Sequence, residues 1–161
     1  MSTIIVGIGT RFRGDDAYGL LAVERWRTLH GAAQPEVDVA TLECTSLDLL
    51  PLLRGHDRAI LVDAIEAAPA DGIRHLHEAE MAAFAPGSGS AHGWGVAEAL
   101  ALARALPSAG FPNEIAIVGL PFESIEPGPP RSMGPARLID QAVAAIQAEL
   151  HDEPTPLASA A

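Results

Sequence analysis

Ile4-Ile5-Val6-Gly7-Ile8-Gly9-Thr10-Arg11-Phe12-Arg13-Gly14-Asp15-Asp16-Ala17-Tyr18-Gly19 decides the fold. From Ile4 to Ile8 no polar side chain interrupts a β-branched run, as suits a strand buried on both faces of a parallel sheet. Gly7 and Gly9 let the chain turn tightly and pack closely. Two adjacent carboxylates then open a predicted helix over about Asp16 to Leu29. Asp15 is a natural N-cap there, and acids are favoured at the positive end of a helix. Asp16 invites a further reading. A strand that ends in glycines delivers this carboxylate to the carboxyl edge of the sheet, where such folds place their ligands.

Working outward, the same alternation of apolar strand and helix recurs. Glu36 to Thr41 alternates polar and apolar, which predicts a strand near a sheet edge. Leu47 to Leu53 reads as a short helix that Ser46 could cap. Ala59-Ile60-Leu61-Val62 is a second buried strand, ending in Asp63-Ala64. Ile73 to His77 alternates like an exposed strand, and Glu78 to Ala91 reads as irregular, with a mobile loop at Pro86-Gly87-Ser88-Gly89-Ser90. Val96 to Leu106 has helical spacing, and Ile115 to Leu120 is a third buried strand. Pro135 suits the first position of a last helix reaching His151. These elements predict an α/β protein: one three-layer α/β/α sandwich over residues 1–151, with a mostly parallel sheet of about five strands. Residues 152–161 read as a disordered tail.

Composition narrows the function. The chain has 161 residues, enough for one domain with a real core. A formal charge of −11 argues against nucleic acid, whose phosphates need a basic face. No apolar run is long enough for a membrane span or a signal peptide, so the expected location is cytoplasmic. The single cysteine, Cys44, excludes an internal disulfide and reads as a small core residue.

Three residues can carry chemistry together: Asp16, Asp63 and His92. Two carboxylates and an imidazole form a mixed oxygen and nitrogen donor set with positions left open, which suits borderline cations such as Zn²⁺ or Ni²⁺. Each also has a plain structural reading, Asp63 as a turn cap and His92 as a solvent-facing loop residue. Other motifs fall short. Phe12 breaks a G-x-G-x-x-G spacing, and neither H-E-x-x-H nor a G-x-S-x-G elbow occurs. His75 and His77 share one strand face, as a ligand pair or as residues of an exposed edge. Arg11 and Arg13 read as structural ion pairs or as holders of a substrate carboxylate.

The pattern G-x-G-T-x-x-x-x-D-D-x-x-G at Gly7 to Gly19 resembles the N-terminal signature of the nickel–iron hydrogenase maturation endopeptidases. Leu61-Val62-Asp63-Ala64, Ser90-Ala91-His92-Gly93-Trp94-Gly95, Val118-Gly119-Leu120-Pro121 and Glu126-Pro127-Gly128 follow in the family's order. The resemblance covers roughly residues 4 to 147. Thr10 replaces the more usual asparagine, and Glu43-Cys44-Thr45-Ser46 lacks the Gly-Gly-Thr of many members.

The resemblance implies a cytoplasmic aspartyl-type endopeptidase that removes a C-terminal extension from a hydrogenase large-subunit precursor. Asp16, Asp63 and His92 would then be both the metal-contacting and the catalytic residues. The metal it implies is nickel already loaded in the precursor, with other divalent ions accepted in vitro. Nucleic acid and membrane are not expected partners. Two rival readings are a non-catalytic module that recognises nickel-loaded precursor and a nucleotide-binding α/β protein. Carboxylates at the glycine turn disfavour the latter, since they repel phosphate.

Overall fold

The computed structural model describes residues 1–43, 46–66, 72–81, 95–106, 110–122, 126–130 and 135–152. Among these residues, five strands form one sheet: β1 (Thr3–Ile8), β2 (Val37–Leu42), β3 (Arg58–Ile65), β4 (Arg74–His77) and β5 (Glu114–Pro121). Their order is β2-β1-β3-β5-β4. The first four in that order are parallel, and β4 pairs antiparallel with β5 at the far edge. Among the described residues, five helices accompany them: α1 (Tyr18–His30), α2 (Leu49–Leu53), α3 (Glu78–Met81), α4 (Val96–Ala105) and α5 (Pro135–His151).

The apolar runs produce this layering. Every residue of β1 is buried, as its uninterrupted run requires of an inner strand. Because strand side chains alternate, each inner strand feeds two cores. Ile5, Ile60, Val62, Val118 and Leu120 pack with Tyr18, Val23 and Trp26 of α1 and Ile146 of α5. Ile4, Val6, Leu61 and Ile117 pack on the other face with Leu49 and Leu53 of α2 and Leu100 of α4. Burying one such side chain contributes roughly 1.5–3 kcal/mol, so the two faces hold the sandwich together. The predicted three-layer architecture is therefore the observed one.

Several local readings change. The segment after β1 enters its helix through a 3-10 turn, Gly14–Ala17, and α1 begins at Tyr18. Asp15 is not the helix cap. It lies inside the turn and is fully buried, and neither flanking cap residue, Arg13 or Ala17, makes a side-chain cap hydrogen bond. Ser46 opens another 3-10 turn, and the N-cap of α2 is Asp48. Asp63 does not end its strand, which continues to Ile65. Within the stretch read as irregular, Glu78–Met81 is helical. The rest of that stretch, the proposed loop at 86–90 and residues 153–161 of the tail lie outside the described residues.

The amino edge of the sheet is tied by charge. Arg58, nearly inaccessible, contacts Glu114 at 2.8 Å and Glu149 of α5 at 3.6 Å. His75 on β4 reaches the same Glu149, Nδ1 to Oε1 at 2.9 Å. These contacts hold the end of α5 in place at that edge.

Candidate active site

The carboxyl edge is assembled by close approach of α1 to the central strands. Gly19 has no side chain where the carbonyls of Ile8 and Val62 come closest, and a Cβ there would lie far inside van der Waals contact with both oxygens. Gly9 makes the same allowance for the carbonyl of Asp16. At Gly7 a Cβ would stand 2.7 Å from the Gly19 carbonyl oxygen and 2.9 Å from Val23 Cβ. These glycines let the turn carrying Asp16 sit directly on the ends of β1 and β3.

The turn is fixed by its backbone as well. Asp16 N–H donates to the Arg13 carbonyl at 3.2 Å, and Thr10 N–H donates to the Asp16 carbonyl at 3.4 Å. A second segment clamps the loop from outside. Gly14 N–H donates to the Gly128 carbonyl at 2.8 Å, and Gly128 N–H donates to the Phe12 carbonyl at 2.6 Å. Arg13 and Gly128 thereby form an isolated parallel bridge. Sequence reading missed this clamp, because nothing local in Glu126-Pro127-Gly128 signals pairing with a loop more than a hundred residues away.

Asp63 arrives from the rigid side. It pairs in register with Gly119 of β5, which presents no side chain beside it. Alternation puts Asp63 on the face of Ala59 and Leu61, the face that α2 and α4 cover. Its Oδ1 accepts the Ala64 N–H at 2.8 Å. Asp16 is fully buried and Asp63 only 6% exposed. The 3-10 turn of Asp16 packs against β3, so both carboxylates belong to the same end of the sheet.

His92 lies outside the described residues, as do Cys44, Ser88 and Ser90. The described chain resumes at Gly95, the N-cap of α4. That helix runs down to the start of β5, so its N-terminus belongs to the carboxyl edge too. Among the described residues no group of three His, Cys, Asp or Glu could hold a metal ion. His75 and His77 stand on an exposed edge strand, with His75 engaged by Glu149.

Arg11 resolves as structural. Its guanidinium pairs with Glu24 of α1 and, through Nε at 3.3 Å, with Glu43; its backbone N–H donates to Glu43 Oε1 at 3.0 Å. The hydrogen bond and charge of Glu24 come first in raising the Arg11 pKa above its ordinary value. No helix among the described residues is long and apolar enough to cross a membrane.

Comparison with known proteins agrees with this architecture. The chain is similar to the solution structure of an endopeptidase from Escherichia coli, with a TM-score of 0.77 at 24% identity over 99% of this chain and 100% of that one. It is similar to the hydrogenase maturating endopeptidase HybD of E. coli, with a TM-score of 0.73 at 25% identity and the same coverage. A [NiFe] hydrogenase maturation protease HybD from Thermococcus kodakarensis follows with a TM-score of 0.68 at 24% identity, over 94% of this chain and all of that one. No curated protein matches the chain. The sequence model of a family described as hydrogenase maturation protease matches residues 27–149, a stretch that includes Asp63 and begins after Asp16. Peptidase chemistry therefore displaces the nucleotide-binding reading: with three-quarters of its length matched and its fold shared throughout, this chain belongs to the hydrogenase maturation protease family.

Proposed function

We propose that this protein is a cytoplasmic endopeptidase that removes the C-terminal extension of a hydrogenase large-subunit precursor once that precursor carries nickel. Asp16, Asp63 and His92 hold the precursor's nickel, which arrives as part of the substrate. Two carboxylates and one imidazole satisfy a borderline cation while leaving positions for the precursor's own ligands. The same three residues then align the adjoining peptide bond, whose hydrolysis consumes one water and yields a new carboxylate and amine.

The observation that carries this reading is the burial of two carboxyl side chains at one sheet edge, Asp16 at 0% and Asp63 at 6% exposure. Carboxylates are costly to bury, and this edge is where parallel α/β folds bind ligands. A solubilising or capping role does not need that burial. The test is mass spectrometry of a nickel-loaded large-subunit precursor before and after exposure to the protein. Loss of a defined C-terminal peptide supports the reading, and an unchanged precursor mass contradicts it.

A further inference from the structure

We infer that Phe12 is an apolar anchor for the precursor, contacting a hydrophobic side chain of the segment that flanks the cleaved bond. This rests on the function proposed above and adds a recognition residue to it. Phe12 is 81% exposed, the most open of the large hydrophobic residues among those described. It is also, among the described residues, the single non-glycine residue with positive φ, at 60°. An aromatic residue rarely adopts that conformation, and strained residues persist where the surrounding structure over-determines them.

Here the surroundings do so. The Phe12 carbonyl accepts from Gly128 and the following bridge holds Arg13 and Gly14 to the same residue. The backbone under the ring is therefore fixed while the ring itself projects into solvent. Four residues on, the same loop delivers Asp16 to the carboxyl edge. The neighbouring Arg11 is engaged by Glu24 and Glu43. Among the described phenylalanines, Phe12 is thus the exposed one, and it stands on the loop that leads to the candidate site. A pre-ordered aromatic surface next to the chemistry suits an extended peptide, because the anchor loses little conformational freedom on binding.

The experiment is steady-state cleavage of the nickel-loaded precursor by the wild-type protein, Phe12→Asn and Phe12→Leu. Asparagine tolerates positive φ and removes the apolar surface; leucine keeps that surface. Loss of a single anchoring aromatic contact corresponds to roughly a tenfold change, so Phe12→Asn is expected to raise KM about tenfold with kcat within about twofold. Phe12→Leu is expected to stay within about threefold of wild type in KM by the same arithmetic. An unchanged KM in Phe12→Asn overturns the inference. So does a fall in kcat at constant KM, which would assign Phe12 to positioning Asp16. Sedimentation that finds a wild-type dimer dissociated by Phe12→Asn assigns the ring to a second copy and overturns it as well. Should Phe12→Asn not fold, Phe12→Gly carries the same comparison. If the wild-type protein leaves the precursor intact, the functional reading itself falls, and this inference with it.

Discussion

Gly19 of α1 rests against the carbonyl of Val62, the residue immediately before Asp63. The contact links the segments that carry the two candidate site acids, since Asp16 lies three residues before Gly19 on the adjoining turn. Any side chain at position 19 has to push the helix away from both β1 and β3.

Gly19→Ala should therefore destabilise the protein although it places a better helix former in a helix. The intrinsic gain is about 1 kcal/mol. Overpacking typically costs about 1–3 kcal/mol, and two backbone oxygens that cannot move aside put this case at the upper end. The expected net loss of about 1–2 kcal/mol corresponds to roughly 2–8 °C in melting temperature for a chain of this size. Thermal unfolding followed by circular dichroism reads it, and an unchanged or raised midpoint would show that the helix has room to shift.

Asp16→Asn and Asp63→Asn should separate function from folding. Both changes are nearly isosteric, and an amide oxygen at position 63 can still accept the Ala64 N–H. Cleavage of nickel-loaded precursor should fall by about 100-fold or more, comparable to losses seen when the surroundings of a metal site are altered. The circular dichroism spectrum should be retained. Retained activity in both variants would leave the buried carboxylates with a structural role.

Phe12→Gly should raise stability while lowering cleavage. Positive φ costs a non-glycine residue about 1–2 kcal/mol, partly offset by the greater freedom of glycine in the unfolded chain. Little burial is lost, because the ring is already exposed. A gain of about 0.5–1 kcal/mol in urea unfolding is expected on that balance. A loss of stability would mean that the ring packs on its surroundings in solution.

At the amino edge, Asp57 accepts from the Ser2 backbone N–H at 2.8 Å and from its hydroxyl at 3.1 Å. These bonds, the backbone one first, hold its pKa below the ordinary 3.8. A lowered native pKa means the folded state binds this proton less readily than the unfolded state. The stabilisation is thus complete above about pH 5 and disappears as pH falls through the ordinary value toward the native one. Asp57→Ala should be less stable than wild type at pH 7, with the difference shrinking as pH falls below the ordinary carboxylate range, by the same linkage. A difference that is constant across this range would assign the effect to packing.

Much of this was legible locally. The apolar runs at Ile4–Ile8, Ala59–Val62 and Ile115–Leu120 marked three inner strands because burial on both faces leaves no room for polar alternation. The last helix, Pro135 to His151, matches its predicted span, since proline at its start and long apolar spacing both register in sequence. Asp63 inside β3 was harder, because one polar residue at the end of an apolar run looks like a boundary. Asp15 misled for a similar reason: a carboxylate before a helix suggests a cap, whereas tertiary contact draws it into a buried turn. The strand order and the antiparallel β4 depend on contacts between distant segments. So do the partners of Arg11, whose charge alone could not distinguish Glu24 and Glu43 from a substrate. The φ of Phe12 has no signature at all in its residue type.

The central claim is that nickel is read on the substrate, and cleavage of matched precursors tests it most directly. Purified protein, free of added chelator, is incubated with nickel-loaded and nickel-free large-subunit precursor, with its own metal content measured by elemental analysis. Three ligands without a thiolate hold a borderline ion loosely, so the purified protein should carry well below one ion per chain. The account predicts loss of the C-terminal peptide from nickel-loaded precursor alone. Equal cleavage of the nickel-free precursor by a protein carrying a stoichiometric zinc ion would contradict it.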